Sequence, residues 1–261
     1  MGNNFSAFFI SSNSINCFII TLLLVLSLCT LASFRERLWY AIIHKPYCKF
    51  ITCKYMNDDD KLSPASKRRL TLVKKKTLIL DMDETLITSV TIKKDGTSPP
   101  SSRKCKWQVV PFDFEFVLND VTIKVYKRPH VDYFLERVSK WYNLIIFTAG
   151  TEEYATPILD YLDGGRNILT QRFFRSNCIN VYGFNAKFVS LVCPDMANVI
   201  LLDNSIPECC FNVNNAIPIA DNIIGDWDTK LLNILGFLDA LRFVKDVRSI
   251  LKRCKVLTAP S

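Results

Sequence analysis

Two carboxylates one position apart, Asp81 and Asp83, with the hydroxyl of Thr85 behind them, close a short apolar run from Leu78 to Leu80. Three lysines, Lys74 to Lys76, stand ahead of that run. A run this short suits a buried strand, and acids at its carboxyl end would lie where an open α/β sheet keeps its ligand crevice. Neighbouring carboxylates repel, so they call for a cation, a shared proton or positive side chains close by. That points to a metal and a phosphate. An acidic surface turn can look the same, so the rest of the chain must decide.

The same arrangement recurs downstream. Tyr142 to Phe147 reads as a second buried strand and ends on Thr148-Ala-Gly150. Val199 to Leu202 reads as a third and ends on Asp203-Asn204-Ser205. Lys187 sits in a loop between them. In a parallel sheet all strand ends face one side, so these residues would converge. Together they supply a carboxylate nucleophile, a second acid, a hydroxyl and an ammonium for phosphate oxygens, and oxygen ligands for Mg²⁺, the inventory of phosphoryl transfer.

The elements that would position them alternate. The spacing predicts a helix over Val131 to Trp141, with Val131, Phe134, Leu135 and Val138 on one face. It predicts another over Glu152 to Leu162, stopped by Gly164-Gly165. From Asp228 one amphipathic helix is expected, with Leu231, Leu235, Leu238, Leu241 or Ala240, Val244, Val247 and Leu251 as its core stripe and Asp226 or Asp228 as its cap. Ala216 to Ile219 is a further short run, and Ile179 to Tyr182 a strand or turn. Between the first strand and the first helix lie a polar loop, Lys93 to Ser102, and alternating stretches at Trp107 to Val110, Phe112 to Val117 and Val121 to Tyr126. They read as a small β insertion. The expected fold class is α/β, a parallel sheet with helices on both faces.

The net charge of +8 favours acidic partners, and two histidines exclude a histidine-rich metal site. Ten cysteines without a C-x-x-C pair read as reduced thiols. Ile15 to Phe34 carries no charge over 20 residues. As a helix it would span about 30 Å, a bilayer core, and no basic segment precedes it as in a cleaved signal peptide. Arg35, Arg37, Lys45, Lys49 and Lys54 follow it, so the positive-inside rule puts the remainder on the cytosolic side. Met1-Gly2-Asn-Asn-Phe-Ser6 fits a myristoylation signal at Gly2. A lipidated Gly2 would stay cytosolic, so both readings hold only if the apolar run enters the membrane as a hairpin. The expected organisation is an amino-terminal segment (1–14), a membrane anchor (15–34), a basic linker (35–70) and a catalytic domain (71–255). The basic clusters Lys67-Arg68-Arg69 and Lys74 to Lys76 suit an anionic membrane surface, and no direct nucleic-acid partner is expected.

The ordered set Asp81-Met-Asp-Glu-Thr-Leu86, Phe147-Thr-Ala-Gly150, the Lys187 loop and Leu201-Leu-Asp-Asn-Ser205 resembles the four motifs of the haloacid dehalogenase superfamily. With Lys127-Arg-Pro-His-Val-Asp-Tyr-Phe-Leu135 and Leu238-Asp-Ala-Leu-Arg-Phe243, the chain from about Leu62 to Leu251 resembles the C-terminal-domain phosphatase-like group of protein serine/threonine phosphatases, in its Dullard-type nuclear-envelope branch. The resemblance implies Asp81 as nucleophile and Asp83 as general acid and base. It implies Thr148 and Lys187 as phosphoryl stabilisers and Arg175 as a substrate contact. Mg²⁺ would be held by Asp81, the Asp83 carbonyl and Asn204, with Asp203 orienting a water or pairing with Lys187. It further implies a phosphorylated protein substrate, with a lipin-type regulator of lipid synthesis as one candidate, a small membrane-bound regulatory subunit, and the endoplasmic reticulum or nuclear envelope membrane. The same domain also serves as a binding scaffold in Tim50-type import receptors, which leaves a non-catalytic alternative. Phe188, Ile206 and Thr88 depart from the expected pattern of aspartate, proline and histidine, and none removes a chemical group.

Overall fold

In the computed structural model the described residues are 59–92 and 110–258. The apolar run at 15–34, Gly2, the polar loop at 93–102 and the stretch at 107–109 lie outside them. No helix among the described residues is long and apolar enough to cross a membrane.

Five strands build the central sheet: β1 (Thr77–Leu80), β5 (Asn143–Phe147), β6 (Gln171–Phe173), β9 (Val199–Asp203) and β10 (Ala216–Pro218). Their spatial order is β10-β9-β1-β5-β6 and every pairing is parallel. β1 lies in the middle, paired through Leu80 with Ile146 on one side and Leu202 on the other. The chain leaves β1 towards β5 and later returns to β9 on its opposite flank, which makes the carboxyl end of β1 the switch point of the topology.

Strand residues alternate between two cores, as a pleated strand buried on both faces requires. Leu78, Leu80, Leu144, Ile146, Ile200 and Leu202 pack into the larger one. It is closed by α2 (Val131–Trp141), α3 (Glu152–Asp163), α5 (Lys230–Leu241) and the first turn of α6 (Arg248–Thr258). Ile79, Ile145, Phe147, Val199 and Leu201 face the other way, against the short α4 (Val189–Val192) and the 3-10 turn Pro207–Asn212. Helical elements therefore cover both faces, but the long ones sit on one.

The β insertion is an antiparallel sheet of β2 (Ile87–Ile92), β4 (Val121–Lys127) and β3 (Phe114–Leu118). β2 is absent from the sequence reading, because Ile87–Ile92 mixes hydroxyl residues into its apolar pattern. A hairpin, β7 (Ile179–Val181) and β8 (Phe184–Ala186), turns at Tyr182-Gly183, both at positive φ, the geometry of a tight two-residue turn.

Further elements differ from expectation, among them β6 and β8, for which the sequence reading has no strand. Pro64–Leu72 is a helix, α1, capped by Ser63 and burying no side chain, hence invisible to apolar periodicity. Its Arg69 donates to the Phe243 carbonyl at 2.9 Å. The closing helix is broken in two: Arg242, Phe243 and Val244 bond back only three residues, and Asp246 accepts from the Arg248 amide at 2.9 Å to open α6. Asp228 does accept from the Lys230 amide at the start of α5, at 2.7 Å.

Arg128 ties the loops of the site end together. It is fully buried, pairs with Asp228 at 2.8 Å and donates to the carbonyls of Glu84, Thr85 and Ala220. Burial works against the Asp228 charge, but the Lys230 amide and Arg128 outweigh it and hold the carboxyl below its usual range. The stability this adds is complete above the unfolded carboxyl value, about pH 3.9, and is lost as pH falls through the lower folded value. Asp228→Ala leaves the guanidinium buried without its anion and should cost about 3–5 kcal/mol in urea unfolding at neutral pH. An unchanged midpoint would show that the pair carries no such weight.

Candidate active site

The carboxyl ends of β1, β5 and β9 open on one cleft of about 440 Å³, walled by Asp81, Asp83, Thr148, Tyr154, Arg175, Asn204 and Glu208 among others. Backbone bonds set its floor. The Asp81 amide donates to Leu202 O at 3.0 Å and the Thr148 amide to Phe173 O at 3.0 Å. The Arg175 amide reaches Gly150 O at 2.8 Å. Asp81 and Thr148 are thus each fixed by the strand next to their own, and Arg175 by the loop after β5.

At the bottom lies one ammonium among three carboxylates. Lys187 follows β8 directly, and its amide bonds Glu208 O at 2.8 Å. Its Nζ, fully buried, donates to Asp81 Oδ1 at 2.6 Å and to Asp203 Oδ2 at 2.7 Å, with Glu208 Oε2 at 3.0 Å. Burial opposes that charge, yet Asp81, Asp203 and Glu208 overcome it and hold the ammonium well above the ordinary lysine range. Burial pushes the Asp81 carboxyl up to about 7, with Asp203 and Asp83 adding to the rise and Lys187 resisting it. Asp203 spends both oxygens, one on Lys187 and the other on the Ser205 amide at 2.7 Å. The three carboxylates form a cluster with oxygen atoms close enough for one cation. Lys187 is the cation that occupies its centre, so a metal would have to bind towards the cleft, beside Asp81.

Asn204 stands at that mouth. Its Oδ1 accepts from Thr85 at 3.3 Å and its Nδ2 donates to Asp221 at 3.0 Å. Asp83 sits higher, half-buried, in a turn closed by Glu84 N to Ile87 O at 2.7 Å, with Glu84 at positive φ. The Tyr154 hydroxyl lies 2.5 Å from Asp83 Oδ1 and 2.7 Å from Ser89 Oγ. A hydroxyl has one proton, so Tyr154 donates to Asp83 and accepts from Ser89. Burial, with Asp83 beside it, pushes the phenol far above its usual range and keeps that proton in place. Thr148 is buried, its Oγ1 accepting from the Gly150 amide at 2.9 Å. A Cβ on Gly150 would come within 2.9 Å of the Tyr154 ring, so the turn admits only glycine without displacing that tyrosine. Arg175 is anchored through Nε to Ala149 O at 2.6 Å.

Asp81, Asp83, Thr148, Arg175 and Asn204 therefore share the cleft wall, with Lys187 and Asp203 beneath it. Gly2 lies outside the described residues. Sequence reasoning missed Glu208 and Tyr154. Glu208 comes five residues after Asp203 in the 3-10 turn, and Tyr154 lies six after Thr148 in the first turn of α3. Both follow a strand-end motif closely, the only sequence signal they carry. Phe188 rests on the Phe211 ring with centroids 5.2 Å apart, Thr88 is buried between the Asn222 amide and carbonyl, and Ile206 is exposed. None of the three lines the cleft.

The family model described as NLI interacting factor-like phosphatase matches residues 76–248. The Drosophila melanogaster protein named CTD nuclear envelope phosphatase 1 homolog is 45% identical over 196 residues, 74% of this chain and 78% of that one. The Xenopus tropicalis CTD nuclear envelope phosphatase 1 is 41% identical over 231 residues, 85% of this chain and 91% of that one. Among solved structures, Fcp1, described as an essential RNA polymerase II CTD phosphatase, superimposes with a TM-score of 0.44 at 17% identity, over 76% of this chain and 57% of that one.

Tyr154→Phe should lower kcat for an aryl phosphate about tenfold, the loss of one hydrogen bond to a charged group at roughly 1.5 kcal/mol, with the melting temperature nearly unchanged. A wild-type kcat would remove Tyr154 from the site's working parts.

Proposed function

This chain belongs to the NLI interacting factor-like phosphatase family and is a protein phosphatase of the haloacid dehalogenase type, and from that premise we propose that it hydrolyses phosphoserine and phosphothreonine through an aspartyl-phosphate intermediate on Asp81. The observation that carries this reading is the Lys187 contact with Asp81. Holding Oδ1 at 2.6 Å leaves Oδ2 as the attacking oxygen. Oδ2 forms a bond to phosphorus as the bond to the serine or threonine oxygen breaks. Asp83 gives its proton to that leaving oxygen, aimed by the Tyr154 hydrogen bond. Water then attacks the aspartyl phosphate at phosphorus, Asp83 takes its proton, and Asp81 is regenerated with release of phosphate. Lys187 and Thr148 offset the charge on the phosphoryl oxygens, and Arg175 steadies the substrate at the rim.

Mg²⁺ fits the donors present. The cleft offers hard oxygen atoms from Asp81, the Asp83 carbonyl and Asn204, with no thiol or imidazole among its lining residues. The carboxylates also outnumber the buried ammonium. Bound there, the ion would supply further neutralisation of phosphoryl charge. Asp203, with both oxygens engaged, serves by holding Lys187.

For the whole chain the reading is a membrane-anchored enzyme, with residues 15–34 in the endoplasmic reticulum or nuclear envelope membrane and the catalytic domain facing cytosol or nucleoplasm. The names of the Drosophila and Xenopus relatives support the nuclear envelope. A lipin-type regulator of lipid synthesis as substrate, a small membrane-bound regulatory subunit and myristoylation of Gly2 belong to the same proposal.

Asp81→Asn should abolish aryl-phosphate hydrolysis, and a chelator should silence the wild type until Mg²⁺ is restored. Equal turnover by wild type and mutant would sink the aspartyl-phosphate mechanism.

A further inference from the structure

The opposite end of the sheet carries a second, differently charged cavity. Lys76 directly precedes β1 and Asp81 directly follows it, so the four residues of the strand hold them roughly 17 Å apart. The cavity holds about 210 Å³ and is lined by five cationic side chains and one carboxylate. That carboxylate, Asp59, is already bound to Arg242 at 2.7 and 2.8 Å, and Arg242 also holds Asp239. Arg242 and Asp59 therefore cancel, leaving Lys74, Lys75, Lys76 and Lys140.

Lys76 is the telling member. It is 1% exposed, yet among the described residues its ammonium meets only the Arg242 carbonyl at 3.4 Å, the outer limit of a hydrogen bond. Among the described residues no carboxylate pairs with it. Burial holds its ammonium below the usual lysine range, although Asp195 pulls the other way. A buried ammonium without a counter-charge is costly, and an anion in the cavity would supply that charge. The other lysines are loosely held: Lys74 meets Asp195 at 3.4 Å and Lys140 meets Glu136 at 3.2 Å, both pairs at the surface. Lys75 is exposed.

We propose that this cavity binds a phosphate group through Lys76, Lys75, Lys74 and Lys140, at a site separate from the catalytic cleft. Its size selects the ligand class. At about 210 Å³ it is smaller than the roughly 300–1,000 Å³ of sites for drug-sized molecules, and suits a compact anion. Leu70, Val73 and Trp141 give it an apolar wall beside the lysines, a lining that accepts the carbon skeleton of a phosphate ester. A phospholipid headgroup and a soluble phosphate ester share that chemistry. The proposal does not depend on the phosphatase mechanism, since no cleft residue takes part.

Hydrogen exchange on the full chain in detergent, with inorganic phosphate or dioctanoyl phosphatidic acid added, tests it and shows which end of the sheet is protected. Slowed exchange at 70–77 and 241–244 is expected, and Lys75→Glu should weaken that protection at least about tenfold in ligand concentration while leaving the KM for an aryl phosphate unchanged. Lys75 is exposed, so this variant leaves the core intact; Lys76→Met should show the same loss. Tighter binding of the lipid than of inorganic phosphate would assign the site to a membrane headgroup, and equal binding to a soluble ester. Protection confined to residues around Asp81 and Asn204, or protection that survives both substitutions, would overturn the proposal. So would protection by a phosphopeptide alone.

Discussion

The buried ammonium of Lys187 is the charge on which the catalytic end of this protein depends. Three carboxylates from separate elements, Asp81 after β1, Asp203 in β9 and Glu208 in the 3-10 turn, converge within 3.0 Å of it. Without that cation the three acids would repel one another in a poorly solvating interior. With it they become a rigid base for the cleft. Three carboxylates around one ammonium keep Lys187 protonated despite its burial.

Arg128 plays the corresponding part for the backbone. Its guanidinium gathers the carbonyls of Glu84, Thr85 and Ala220 around Asp228, joining the turn behind Asp83 to the start of α5. Asp83 is thereby held relative to Asp81 by a turn that is itself fixed from below, and Tyr154 from α3 sets its side chain from the flank. The two acids have different surroundings, one locked to Lys187 and the other half-exposed under a phenol. Different environments give two like residues different tasks.

Charge also divides the molecule end to end. Acids collect at the carboxyl ends of the strands, whereas Lys74 to Lys76 stand at the amino end of β1 with Lys140 and Arg242 around them. The short length of β1 brings two opposite electrostatic environments to either end of one buried strand.

Much of this was legible in the sequence. Buried strands are continuous apolar runs, so β1, β5 and β9 declare themselves, and the residues that follow them are the cleft residues. Parallel pairing then brings distant motifs to one edge, which is why Asp81, Thr148 and Asp203-Asn204 could be grouped before any coordinates. What the sequence lacked was any signal for elements whose shape comes from hydrogen bonds rather than apolar spacing. β2 interrupts its apolar pattern with hydroxyl residues, α1 buries nothing, and the break between α5 and α6 follows from tightened turns and the Asp246 cap inside an unbroken apolar stripe.

Local pattern by itself determined which residues stand at the strand ends, because burial and period act over a few positions. Only the tertiary structure decided their partners. That Lys187 takes Asp81, Asp203 and Glu208 together, that Tyr154 reaches Asp83, and that Lys76 is buried with no carboxylate partner among the described residues depend on distances between elements far apart in the chain. The physical reason also holds for the Asp81-x-Asp83 pair itself: a carboxylate's role is set by the charges within a few ångströms of it, and those come from the fold.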